Sequence, residues 1–330
     1  MTVALLFLVC AGVILVAGTN LSRYGDMIAE KSGLGRTWIG TILLASVTSL
    51  PELVTGISSV AIFDVPNIAV GDVLGSCMFN MLLIAMVDAL TRPEPASSHV
   101  QRGHVLSAAF GMLLLINVSV AIVAGGRVPA IAWIGLSSFI SIGVYIVAMR
   151  VIFVEQVRRP KVDTGVSDLI YTDVPARKAY VLYGVNALVI IAAAVYLPLL
   201  ASELAEMTGL GTTFVGNLVV GATTSLPEIV VSIAAVRLGA IDMAFGNLLG
   251  SNLFNIAILA IDDIFYRKGE LLASISTSQL VISFAAMAMM SIVIIGVAYE
   301  VPKKRLPLAW DALAIVVIYV SSIVLLGLLI

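Results

Sequence analysis

Apolar stretches of helical length, parted by short polar ones, run the whole way along this chain. Ten of them can be delimited, at about 2–22, 35–62, 67–90, 103–124, 128–152, 178–202, 212–237, 240–263, 271–298 and 307–329. A helix needs roughly 20 mostly apolar residues to cross a hydrocarbon core, and each run reaches about that length. The longest polar gap, 155–177, carries Arg158, Arg159, Lys161, Asp163, Asp168 and Asp173, and it divides the runs five and five. The pattern predicts an all-α integral membrane protein of ten transmembrane helices, with one half over 1–154, a cytoplasmic linker over 155–177 and a second half over 178–330. The opening run lacks the basic leader of a signal peptide and is longer than the usual apolar core of one, so it counts as the first span.

Composition agrees with that picture. Hydrophobic residues make up 60% of the chain and charged residues 12%, and the mean hydropathy is +1.11. A soluble domain is about a quarter charged, so this chain has too little polar surface to cover itself in water. The formal net charge of −2 gives no footprint for nucleic acid. Cys10 and Cys77 both lie in apolar runs and read as small packing residues rather than a disulfide framework. Charge also sets an orientation. With the N-terminus outside, 15 of the 18 lysines and arginines fall in inner loops, leaving Arg127, Arg267 and Lys268 outside. This bias predicts a multi-pass protein with both termini facing outward.

The second and third runs recur as the seventh and eighth. Residues 41–62 align with 217–238 at an offset of 176, sharing the string TSLPE, and 8 of these 22 positions are identical. AVGDVLGSCMFN (69–80) aligns with AFGNLLGSNLFN (244–255) at an offset of 175, with 7 of 12 identical. The copies, 41–80 and 217–255, are five spans apart. Five is odd, so the second copy enters the membrane from the opposite side, giving two inverted five-helix repeats. In transporters built this way the substrate site lies between the repeats near the midplane.

The residue types inside the repeat suit a cation. Glu52 and Glu228 fall well inside apolar runs, where an ionisable side chain is costly and commonly functional. Each follows a proline, Pro51 or Pro227, which has no N–H to give and so frees the carbonyl of Val47 or Thr223. Thr48 and Thr224 precede the glutamates by four residues, and Ser49 and Ser225 by three, adding hydroxyls on the same face. Ser76 and Asn80 are four apart in the next span, as are Ser251 and Asn255. Together these offer an all-oxygen cage with two negative charges, of the kind hard cations prefer. Two other readings stay open. Proline with nearby Ser and Thr also makes a mere packing kink, and a buried glutamate also serves as a proton relay. A small-residue stretch such as Gly71–Gly75 reads as helix packing.

With TSLPE and GSxxFN in inverted register, the chain resembles the cation/calcium exchanger superfamily, whose two alpha-repeats these strings match. Its short linker resembles the prokaryotic members, which implies a prokaryotic cell membrane. The resemblance implies an antiporter, not an enzyme, with no cofactor, exchanging Ca²⁺ for Na⁺ by alternating access as the first and sixth spans slide across an eight-helix core. It implies Glu52 and Glu228 as central Ca²⁺ ligands. Thr48, Ser49, Ser76, Thr224, Ser225 and Ser251, with the carbonyls of Ala45 and Gly221, would line flanking Na⁺ sites. TSLPE looks like the sodium-coupled branches, whereas proton-coupled members more often carry GNxxE.

Departures from the family pattern keep a Ca²⁺/H⁺ antiporter open. Sodium/calcium exchangers commonly have Asp at the position of Asn255. Asp72 stands where the second repeat has Asn247, and Cys77 where it has Asn252. Asp72 shares a face with Ser76 but lies about 12 Å along the axis from Asn80, so it is expected beside a cation pathway and not in the cage. An ion channel, the rival from another class, would need a continuous pore. His99 and His104 do not form the HExxH of a zinc peptidase and read as solvated loop residues. Asp88, Asp262 and Asp263 read as interfacial charges, with Asp88 and Asp263 matching across the repeat as if lining an exit path.

Overall fold

The fold is that of a computed structural model, which describes residues 2–127, 129–158, 174–208, 224–299, 304 and 306–329. It is helical, apart from a two-residue antiparallel pair in one loop, β1 (Ala130–Ile131) and β2 (Ile134–Gly135). Lipid offers no hydrogen bonds, so a spanning segment must satisfy its backbone internally, and the helix does this within one segment. In order the helices are α1 (Thr2–Ser32), α2 (Arg36–Thr48), α3 (Leu50–Ala61), α4 (Pro66–Leu90), α5 (Gly103–Ala124) and α6 (Leu136–Arg158). They continue with α7 (Ala176–Thr208), α8 (Leu226–Arg237), α9 (Ile241–Phe265), α10 (Gln279–Ala298) and α11 (Trp310–Leu329).

Among the described residues, eight of these helices are long and apolar enough to cross a bilayer, or nine if α2 and α3, bent by 40° at their junction, are counted as one span. Ten spans were expected. The second is broken instead of continuous, and the seventh, expected over 212–237, is described only from Thr224 onward. The linker expected over 155–177 is entered by α6, which runs on to Arg158.

Burial sorts the helices into a centre and a rim. The most apolar stretch of α9 is 89% buried and that of α4 67%, against 17% for α1 and for α11. α9 therefore runs through the middle of the bundle, touching α2 to α6 and α8. α1 packs along α7 and beside α8. With 31 and 33 residues, α1 and α7 are about 46 and 50 Å long, well beyond a hydrocarbon core of about 30 Å. Helices of that length must tilt or protrude.

Glycines let α2 and α9 approach backbone to backbone. A Cβ on Gly246 would lie 2.7 Å from the Thr37 carbonyl, and one on Gly250 would lie 2.6 Å from Thr41 Cα. On the facing helix a Cβ on Gly40 would sit 3.0 Å from the Asn247 nitrogen. Lacking a hydrophobic drive between helices in lipid, such close contact supplies the dispersion that holds them together. It also brings Thr41, Ala45 and Thr48 against α9.

Candidate functional site

The two TSLPE strings start helices in the same way, each after a serine turn. α2 ends at Thr48, Ser49 turns with φ −91° and ψ 8°, and α3 starts at Leu50. Ser225 turns with φ −81° and ψ 5° before α8 starts at Leu226. Pro51 and Pro227 thus occupy the first turn of a new helix, where a missing N–H costs nothing. The expectation had been a proline-freed carbonyl inside a continuous helix; the structure breaks the helix one step earlier. Glu52 and Glu228 consequently sit in first turns, where the positive end of the helix dipole favours a carboxylate.

Hydroxyls tie the two glutamates together across the repeats. Ser49 Oγ donates to Glu228 Oε1 at 3.2 Å, and Ser76 Oγ donates to Glu52 Oε1 at 3.2 Å. Ser76 Oγ is also 3.4 Å from Ser225 Oγ. Thr48 and Ser251 lie 3.4 Å apart and both face Glu228. The two carboxylates are close enough to act on each other electrostatically, and both are fully buried, at 0% and 1% exposure.

Contacts recur in pairs that the repeat offset predicts. Thr48 Oγ1 donates to Asn247 Oδ1 at 3.3 Å, and its counterpart Thr224 donates to Asp72 Oδ1 at 3.3 Å. Cys77 and Asn252, themselves counterparts, meet each other: Asn252 Nδ2 donates to the Cys77 carbonyl at 3.1 Å, and the Cys77 thiol to the Asn252 carbonyl at 3.9 Å. Equivalent residues in mutual contact lie on an axis relating the copies. α4 and α9 therefore cross at the pseudo-two-fold axis.

Several oxygens aimed into this interior have no hydrogen-bond partner: Oε2 of Glu52 and of Glu228, Oδ1 of Asn80 and of Asn255, and Oδ2 of Asp72. Asn80 gives its amide to Asn252 Oδ1 at 3.0 Å, while Asn255 lies beside the Cys77 thiol. The Ala45 carbonyl accepts the Ser49 N–H at 3.1 Å and the Thr48 hydroxyl at 3.4 Å. Gly221 lies outside the described residues. Among the described residues no three His, Cys, Asp or Glu side chains converge as a metal cluster. The donor set is carboxylate plus hydroxyl and amide oxygen, suited to a hard cation and unsuited to zinc.

Some expectations are corrected. Asp88 and Asp263 are anchors for loops, not lines of an exit path. Asp88 accepts the N–H groups of Ala96 and Ala309 at 2.8 Å each and pairs with Lys304 at 2.9 Å. Asp263 accepts those of Gly135 at 2.9 Å and Leu271 at 2.7 Å, plus the Ser138 hydroxyl at 2.6 Å. Both reach an amide eight residues on, so the repeat symmetry extends into the loops. His99 is partly exposed beside Glu94, but His104 is wholly buried, with Nε2 3.1 Å from Asp242. Asp262 is not interfacial either: it is fully buried and neither carboxylate oxygen has a hydrogen-bond partner. Cys10 and Cys77 are free thiols, Cys77 buried and Cys10 partly so. Sequence reasoning gave no role to Asn247 and Asn252; their alignment with Asp72 and Cys77 was the available signal.

Comparison with known proteins places the whole chain. The profile of the family described as sodium/calcium exchanger protein matches residues 2–154 and 178–328. The inner membrane protein YrbG of Escherichia coli is 26% identical over 261 residues, covering 76% of this chain and 77% of that protein. The sodium/calcium exchanger MaX1 of Methanosarcina acetivorans is also 26% identical, over 98% of this chain and 99% of its own length. Among solved structures, the sodium-calcium exchanger NCX_Mj soaked with 100 mM Na⁺ and 10 mM Sr²⁺ superposes with a TM-score of 0.75. That match covers 98% of this chain and 97% of the other at 19% identity, a likeness of fold.

Proposed function

Since the chain belongs to the sodium/calcium exchanger family, we propose that it is an antiporter that exchanges Ca²⁺ for Na⁺ across a membrane by alternating access. One observation carries the reading. Two buried glutamates, one from each inverted repeat, are cross-linked by serine hydroxyls at the crossing of the central helices, and each keeps one oxygen free. Two carboxylates balance one Ca²⁺ or two Na⁺, so the same pair can serve either cargo in turn. Glu52 and Glu228 would hold Ca²⁺. Thr48, Ser49, Ser76, Thr224, Ser225 and Ser251, with the carbonyls of Ala45 and Gly221, would line the Na⁺ positions, and Asn80 and Asn255 would add amide oxygens from the crossing helices.

The free energy logic is that of exchange rather than leak. Two carboxylates in a low-dielectric interior repel each other, and emptying the site exposes that repulsion without water to relieve it. An unloaded site is thus disfavoured, and the transporter crosses between its two open states loaded with one cargo or the other. The lengths of α1 and α7 and their shared place on the rim fit a pair of helices that slides over the buried centre.

A neutral amide at Asn255, where sodium/calcium exchangers commonly carry Asp, favours a second reading, Ca²⁺/H⁺ exchange. Uptake of radiolabelled Ca²⁺ into proteoliposomes distinguishes the two. A Na⁺ gradient imposed at constant pH should drive uptake. Uptake driven by a pH gradient alone, with none from Na⁺, would replace sodium by protons in the reading. Flux with no counter-ion would make the protein a channel.

A further inference from the structure

Asp262 has no task in the central site, yet it is placed with care. Its carboxylate is wholly buried, and both oxygens lack a hydrogen-bond partner. It projects from α9 onto α3 at Gly56: a Cβ there would lie 2.8 Å from Asp262 Cγ. Gly56 is one helical turn beyond Glu52, about 6 Å along the axis. Asp72 is the other acid on this side. It receives the Thr224 hydroxyl on one oxygen and has nothing on the other. Its carboxylate is close enough to act electrostatically on both Glu52 and Asp262. The far end of this row lies on the face where α3 turns into α4 and α9 ends, joined there by the Lys268–Asp64 ion pair of 2.5 Å.

Unpaired carboxylates with no hydrogen-bond donor are among the costliest groups to bury, because dehydration is not repaid by any protein contact. Asp88 and Asp263, one residue away in register, show what this fold does with an acid needed for structure: it surrounds each with amide donors. Asp262 receives none. Loop anchoring is therefore excluded for it, which leaves a proton or a cation from outside the chain to offset its charge.

We propose that Asp262 and Asp72 form a second cation position, one helical turn along α3 from the central glutamates, which an ion occupies between that face and the central site. The ligand is a hard metal cation of the kind the antiporter carries, bound by carboxylate oxygens and water. The identity of the ion rests on the antiport reading; the existence of the position does not. Two carboxylates without a closed cage make a weak site, in the range of about 10⁻⁴ to 10⁻³ M for Ca²⁺.

Equilibrium binding of radiolabelled Ca²⁺ to the purified full chain tests it. The double variant Glu52→Gln/Glu228→Gln removes the central charges by near-isosteric replacement. One saturable class of weak sites should remain, and adding Asp262→Asn should abolish it. Gly56→Ala in the double variant, which drives a methyl onto the Asp262 carboxylate, should weaken it about tenfold or more. Elution as a single species on size exclusion confirms that each variant is folded. The proposal is overturned if the double variant binds no Ca²⁺, or if binding survives Asp262→Asn. Exchange by the wild type under a Na⁺ gradient reports separately on the antiport reading. Exchange without residual binding sinks the second position alone; residual binding without exchange sinks antiport alone.

Discussion

Glu52 and Glu228 each accept a serine hydroxyl on one carboxylate oxygen and keep the other without a partner. That half-satisfied state suits a group that must take and release a cation. Replacing either by Gln should bring Ca²⁺ exchange to background while the protein still inserts and folds. Removing one charge takes on the order of several kcal/mol from the attraction for a divalent ion, and it also relieves the cost of burying that charge. Wild-type rates in both variants would refute the assignment. Asp263 presents the opposite case, since Gly135, Leu271 and Ser138 all donate to it. Asp263→Ala should leave those donors unpaired, at about 1–3 kcal/mol for each buried one, and lower the melting temperature in detergent. An unchanged melting temperature would show that water reaches that loop and replaces the acid.

The helix break is the element on which the site depends. Ser49 ends α2, Pro51 and Pro227 each lie in the first turn of the helix that follows their serine, and each glutamate enters at the positive end of that helix. The break is held in register by the glycine contact between α2 and α9. Gly250→Ala should therefore act beyond its size, because a Cβ 2.6 Å from Thr41 Cα meets backbone that cannot rotate away. We expect loss of thermal stability together with weakened Ca²⁺ affinity, as α2 is displaced and Thr48 leaves Ser251 and Asn247. A variant with wild-type stability and binding would show that the two helices have slack here. TSLPE was readable in the sequence as two matched strings around a proline and a buried acid. That the helix parts at the serine, giving the proline a first-turn position, was not readable, because an N-terminal proline and a kinking proline have the same sequence.

At the scale of the whole molecule, α1 and α7 lie together on the rim while α4 and α9 form the centre. If α1 slides during exchange, fixing it to the centre should stop transport. Gly18 offers the place: a Cβ on it would lie 3.4 Å from Val230 Cβ on α8, near the spacing of about 3.8 Å that a disulfide prefers. Gly18→Cys with Val230→Cys, made in a background lacking Cys10 and Cys77, should lose exchange on oxidation and regain it on reduction. Full exchange in the oxidised, cross-linked form would mean that α1 and α8 move as one body.

Sequence alone determined the membrane class, the two matched copies of TSLPE and GSxxFN, and the presence of one glutamate in an apolar run of each copy. Each of these is written in apolar run length, in a string that recurs, or in a charge inside an apolar run. Periodicity along one chain carries that information, because the bilayer imposes the same length and polarity on every span. Tertiary structure alone decided what the other acids do. Asp88, Asp262 and Asp263 look alike in sequence, near the ends of matching spans. Yet Asp88 and Asp263 meet amide donors from distant loops, and Asp262 lies against the bare face of Gly56 with no hydrogen-bond donor. A carboxylate's role depends on which groups surround it in space, and those groups come from helices that no local pattern brings together.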